Sequence, residues 1–185
     1  MPAFIVDGFT ERNILQNICP GMPIRRIDLN GKNVSLEAMS KRIASIIRVL
    51  NNNYYPIIIL VDKEERSLTY LQMQTKLKEL IVNEGINNCD LRIGVADRML
   101  ENWILADWES IENKRPRPAN TDSINGCAKL KSIVGSYGKT TDGVDLFLKA
   151  DINKQYKYSP SFRDFVHKLL DIDCEYINKL KTKSK

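Results

Sequence analysis

The sequence predicts an α/β protein, a mainly parallel sheet flanked by helices, with an α-helical extension at its C-terminal end. Apolar, β-branched runs such as IIILV (57–61) have the composition of parallel strands buried on both faces. Segments with apolar residues at helical spacing separate these runs, and strand alternating with helix is the pattern of βαβ units. Beyond Ala106 the strand runs give out, and short helices joined by Pro-, Asn- and Gly-containing loops replace them.

In chain order, AFIV (3–6) is the first strand. A helix from Thr10 to about Cys19 follows, with Thr10 as its N-cap and Ile14, Leu15 and Ile18 on its apolar side. IRRIDL (24–29) is a weaker strand candidate. Leu36, Met39, Ile43, Ile46, Ile47 and Leu50 recur at helical spacing and define the firmest helix, Ser35 to Leu50. The third strand lies in YPIIILVD (55–62), its helix runs from Ser67 to Glu84 and stops before Gly85, and DLRIGVAD (90–97) holds the fourth strand. In the extension, RPRPANTDSINGC (115–127) and GSYGKTTDG (135–143) are loops. Ser159 and Pro160 suit the N-cap and first position of a helix whose apolar stripe is Phe162, Phe165, Val166, Leu169 and Leu170. Residues 1–108 thus form the core, and 109–185 an extension packed on it within the same domain.

Composition narrows the function classes. The 185 residues are 43% hydrophobic and 28% charged, which suits a soluble globular domain. No apolar run approaches the ~18 residues of a membrane span. MPAFIVDG lacks a basic, long-apolar leader and reads as a strand, so a cytoplasmic location is expected. Cys19, Cys89, Cys127 and Cys174 stand far apart, without a CxxC pair and with a single histidine, His167. They read as buried, reduced thiols rather than a zinc site. Through residue 110 there are 13 Lys or Arg against 14 Asp or Glu, and from residue 111 there are 15 against 9. The basic excess therefore lies in the back part, where Lys114, Arg115, Arg117, Lys129, Lys131, Lys139 and Arg163 are candidates for contact with a polyanion.

The candidate site comes from strand ends. Ligands of open parallel sheets bind outside the carboxyl ends of the strands, and three apolar strands end there on Asp7, Asp62 and Asp97. Glu64, two residues beyond Asp62, is expected to point to the same side. Asp7, Asp62 and Glu64 are then a nest of oxygen ligands of the kind a hard divalent cation takes. Asp97 and Glu101 are secondary candidates at the same edge. Trp103 reads as part of a helix docked on the sheet, and His167 as a boundary residue. GSYGK (135–139) lacks the spacing of an ATP-binding loop.

The same residues carry a resemblance. FIVDGFTERNIL (4–15) resembles the first motif of the Toprim fold, hydrophobics followed by Glu-Gly, and IIILVDKEE (57–65) resembles its second, a buried strand ending in Asp-x-Asp. VDGFTE, ILVDKE, RMLENWILAD and the later YGKTTDG and SPSFRDF are together similar to a small Toprim-like family of prokaryotic proteins, the domain-of-unknown-function family 4276, over nearly the whole chain. The resemblance implies a Rossmann-like core with Mg²⁺ or Mn²⁺ on the acidic motifs. Asp7 takes the place of the family's catalytic Glu, Asp62 that of the first metal-binding aspartate, and Glu64 that of the second, so two of three positions depart from the Toprim pattern. Glu11 matches the acid of the family's Thr-Glu. The implied activity is metal-dependent phosphodiester cleavage in DNA or RNA, with Asp7 or Glu11 accepting a proton from attacking water. The alternative is a catalytically inactive module that binds nucleic acid or a partner protein. An ABC-type ATPase partner in a phage-defence setting is also implied by resemblance alone.

Overall fold

The computed structural model describes residues 1–29, 34–50, 53–112 and 115–181. Its strands are β1 (Ala3–Val6), β2 (Ile24–Arg26), β3 (Ile57–Asp62) and β4 (Leu91–Ala96), joined in one sheet of order β2-β1-β3-β4 with every pairing parallel. Helices α1 (Phe9–Ile18), α2 (Leu36–Leu50) and α3 (Tyr70–Asn83) connect successive strands. Beyond β4 come α4 (Glu101–Leu105), α5 (Trp108–Ile111), α6 (Gly126–Val134), α7 (Asp142–Lys149), α8 (Ile152–Tyr158), α9 (Pro160–His167) and α10 (Glu175–Lys181). The α/β fold with a parallel sheet between helices is as the sequence predicts.

The period-two alternation of buried strands builds two cores. Phe4, Val6, Ile58 and Leu60 face one side, where they pack with Ile14 and Leu15 of α1 and with Trp103, Phe147, Phe162 and Phe165 from the extension. Ala3, Ile5, Ile57, Ile59 and Val61 face the other, against Ile43 and Ile47 of α2 and Met73, Leu77 and Ile81 of α3. Gly94 lets α9 lie flat on β4, because a Cβ there would stand 2.4 Å from the Phe165 ring. No described helix is long and apolar enough to cross a membrane.

Several local expectations change. Helix α1 begins one residue before Thr10, and its N-cap is Gly8. Glu11 supplies the cap, its Oε2 accepting from the Gly8 N–H at 3.0 Å. Thr10 thus sits inside the first turn, because the acid three residues past the glycine satisfies that end. Leu170 leaves the apolar stripe and is 46% exposed, since α9 ends at His167. The largest departure concerns the thiols. Cys19 and Cys174 form a disulfide across 155 residues with Cα atoms 4.7 Å apart, while Cys89 and Cys127 are free and half-buried. The end of α1 and the approach to α10 enter one core, and nothing in the spacing of the cysteines announces that meeting.

Ser159 and Pro160 do open α9. Ser159 Oγ accepts from the Phe162 N–H at 3.1 Å and donates to Asp122 Oδ1 at 2.6 Å, while the Ser161 N–H donates to Asp122 Oδ2 at 2.9 Å. Ser161 Oγ in turn accepts from Trp103 Nε1 at 2.8 Å, which fixes α4 against α9. Ser159→Ala removes a cap and one partner of a buried carboxylate together. It is expected to lower unfolding free energy by about 2 kcal/mol, measurable as an earlier urea midpoint.

Candidate active site

The sheet order locates a crevice. From β1 the chain goes outward to β2, and from β3 it goes the other way to β4. The neighbouring strands β1 and β3 therefore send their connections apart, and ligand crevices open at that point. Asp7 follows β1 and Asp62 ends β3. Asp97 follows β4 at the edge of the sheet, where it pairs with Lys63 at 3.3 Å.

Strand alternation then selects the partners of Asp62. Val61 faces the α2 and α3 core, so Asp62 turns to the opposite face, where its Oδ1 accepts from the Leu100 N–H at 3.0 Å. The carboxylates acting most strongly on it are those of Glu11 and Glu101. Burial first, and then those two charges, hold the Asp62 carboxyl well above the usual carboxylate range. Glu11 is raised as well, by burial and then by Asp7 and Glu101. Glu101 is 2% exposed, and it accepts from the Tyr137 hydroxyl at 3.4 Å and pairs with Lys139 Nζ at 3.3 Å. Asp62, Glu11 and Glu101 thus act on one another as like charges, and the Lys139 ammonium meets Glu101 from the exposed side.

Asp7 stands on the flank of this cluster. Burial raises its carboxyl, with Glu64 raising it further and Arg66 and Lys139 opposing. Glu64 does not extend the strand alternation, because it adopts a left-handed φ of 56°. Its carboxylate pairs with Arg66 at 3.0 Å. The expected nest of Asp7, Asp62 and Glu64 is therefore rearranged, with Asp62 grouped with Glu11 and Glu101 and Glu64 held by Arg66 beside Asp7.

The donors fit a hard divalent cation in kind, since every one is a carboxylate oxygen. They are not a finished cage: among the described residues no three His, Cys, Asp or Glu side chains stand together closely enough to hold a metal ion. Glu11, Asp62 and Glu101 each have oxygens engaged, with the Gly8 N–H, the Leu100 N–H and the Tyr137–Lys139 pair respectively. As placed, these carboxylates do not fit a metal ion.

The basic candidates of the back part are mostly engaged elsewhere. Arg117 bonds the Ala106 carbonyl and Glu109, and its guanidinium lies 3.5 Å from the centroid of the Tyr158 ring. Arg163 donates to the Tyr156 carbonyl at 3.3 Å. Arg115 is exposed and 3.9 Å from Glu112, Lys129 lies 5.3 Å from the Trp108 ring centroid, and Lys131 is exposed on α6. Lys114 lies outside the described residues. Among the described candidates, Lys139 alone is paired with one of these three carboxylates, Glu101. Tyr137, two residues before Lys139 in the same glycine-punctuated loop, has no sequence signal beyond that position, and it reaches Glu101 as well. His167 is exposed and bonded to the Tyr156 hydroxyl at 2.8 Å, remote from the cluster in the bonds it makes.

The protein is of the parallel α/β class, with carboxylates at the carboxyl ends of neighbouring strands whose connections wind apart. The chain belongs to the family described as the domain of unknown function DUF4276, whose model matches residues 6–170 and so includes every residue of the cluster. No curated protein and no solved structure matches it.

Proposed function

We propose that this protein is a divalent-metal-dependent phosphodiesterase acting on DNA or RNA, a nuclease of the Toprim type. The observation that carries the reading is the crowding of Asp62, Glu11 and Glu101 at the β1/β3 crevice, where burial and mutual repulsion raise Asp62 and Glu11. Like charges gathered out of water cost stability unless something offsets them, and a cation binding there would offset their repulsion. The resemblance to the Toprim pattern implies Mg²⁺ or Mn²⁺ at this acidic edge, and holding it would require the carboxylates to close up from where they stand. When bound, the metal supplies charge stabilisation at a scissile phosphate.

The chain's own groups have separate tasks. Asp7, with its carboxyl raised by burial and by Glu64, is suited to accept a proton from attacking water at near-neutral pH. Arg66 and Lys139 flank Asp7 with opposite charge and suit the approach of a phosphate. A second reading is a non-catalytic module that binds nucleic acid or an ABC-type ATPase, favoured by the Asp at position 7 and the Glu at 64 where Toprim enzymes use Glu and Asp. Calorimetric titration of the wild type with Mg²⁺ and Mn²⁺, together with plasmid cleavage in each metal, separates the readings. Metal binding with cleavage is the expected result. A folded protein that binds neither metal overturns the enzymatic reading, and metal binding without cleavage of plasmid or single-stranded RNA favours the module.

A further inference from the structure

One aromatic ring stands out of the core beside the acidic edge. Of the five phenylalanines, Phe4, Phe147, Phe162 and Phe165 are buried, whereas Phe9 leaves 53% of its surface exposed. It is the first residue of α1, two positions beyond Asp7. The parallel register of β1 and β2 sets Arg26 opposite Val6, at the same end of the sheet. From there the Arg26 guanidinium reaches over the Phe9 ring, 3.5 Å from its centroid. Asp28, with a left-handed φ of 53°, turns back to pair with Arg26 at 2.9 Å. Arg12 follows Phe9 by three positions on α1, the spacing of neighbours on a helix surface, and its Nε is buried without a hydrogen-bond partner. Arg25 is exposed on β2, an edge strand. Of these three arginines only Arg26 is ion-paired among the described residues.

We propose that Phe9 and Arg26 form a stacking platform for a base of single-stranded nucleic acid, with Arg12 and Arg25 meeting its phosphates. The inference rests on the nucleic-acid reading above, names the form of the substrate and the surface that receives it, and needs no metal. An exposed phenyl ring gains from a flat apolar face laid against it, and a nucleobase supplies one whatever its sequence. The planar guanidinium of Arg26 stacks on the ring and is itself fixed by Asp28, so the platform is ordered before a ligand arrives, which lowers the cost of binding. The charge of Arg12 and Arg25 calls for an anion, and this sets a polynucleotide apart from an apolar peptide. A duplex keeps its bases stacked on one another, so only an unpaired base can use the ring. A strand lying on Phe9 enters beside Asp7, where Arg66 and Lys139 oppose the carboxylate charge.

The test is fluorescence anisotropy in EDTA with a labelled single-stranded DNA, the RNA of the same sequence and the corresponding DNA duplex. Wild type, Phe9→Ala, Phe9→Trp and Arg12→Gln are compared, each melted to establish folding. Wild type is expected to bind at least one of the single strands more tightly than the duplex. Phe9→Ala is expected to weaken that binding roughly tenfold or more, and Phe9→Trp, which keeps a stacking face, to hold it within about threefold. Arg12→Gln is expected to reduce the slope of log affinity against log salt by about 0.7. If wild type binds a single strand and folded Phe9→Ala binds it as tightly, the platform is overturned and the nucleic-acid reading stands. Binding of the duplex alone overturns the platform in the same way. Should folded wild type bind none of the three, the nucleic-acid reading falls and takes this inference with it. If the alanine variant does not fold, Phe9→Leu makes the same comparison.

Discussion

Asp62→Asn is expected to reduce metal-dependent cleavage by roughly a hundredfold or more while making the metal-free protein more stable. The two effects share one cause. Asparagine can still accept the Leu100 N–H through its side-chain oxygen, but it brings no charge to a crevice already holding Glu11 and Glu101. Relief of this kind at a functional site is worth about 1 kcal/mol, or roughly 2–4 °C in melting temperature for a chain of this size.

The pH dependence follows from the same groups. Asp62, Glu11 and Asp7 are all raised in the folded state, so between the ordinary carboxylate range and their raised values the folded protein holds more protons than the unfolded chain. Stability from these groups is therefore fully present below about pH 4 and is lost as pH rises through the raised values. Glu109 behaves oppositely: its bond to Arg117 lowers its carboxyl, and its contribution is lost as pH falls through that lowered value. The two windows are separate. Melts of the metal-free wild type are expected to decline from mildly acidic toward neutral pH, and Asp62→Asn is expected to flatten that decline. A variant less stable than wild type at neutral pH, or an unchanged slope, would show that the cluster carries no such repulsion.

Much of this crevice was legible in the sequence because strands buried on both faces are hard to misread. IIILV and IGVA have no polar residue to hide a boundary, and the acids that end them stand out. Which acids meet was not legible, for two physical reasons. Whether an acid just beyond a strand continues its alternation depends on backbone conformation, and the left-handed φ of Glu64 turned it to Arg66. The second reason is sequence distance. The turn after β4 meets Asp62 through the Leu100 N–H and so brings Glu101 to the same edge, and Tyr137 and Lys139 arrive from beyond α6, so their meeting is a product of tertiary packing. Lys139 was visible as a cation for a polyanion, yet its partner in the structure is a buried carboxylate.

The Cys19–Cys174 disulfide is the clearest case of structure the sequence left hidden, and breaking it is expected to be the largest single loss of stability in the molecule. It closes a loop of 155 residues, and chain-entropy scaling puts the stabilisation from so long a loop near ~5 kcal/mol, with measured bridges commonly giving about 2–4. Cys174→Ala, or reduction of the wild type, is expected to lower the melting temperature by roughly 5–15 °C. The loss should not reach the carboxylates. Cys19 caps the far end of α1, whereas Glu11 lies in its first turn and is held locally by the Gly8 N–H. Ile14 and Leu15, between them, are buried in the core that includes Phe4 and Leu60, so the sheet positions α1 independently of the bridge. Mn²⁺ affinity measured below the melting range is accordingly expected to be the same in oxidised protein and in Cys174→Ala. A large fall in affinity would mean that the bridge, rather than the packing of α1 on β1 and β3, sets the position of Glu11 in the crevice.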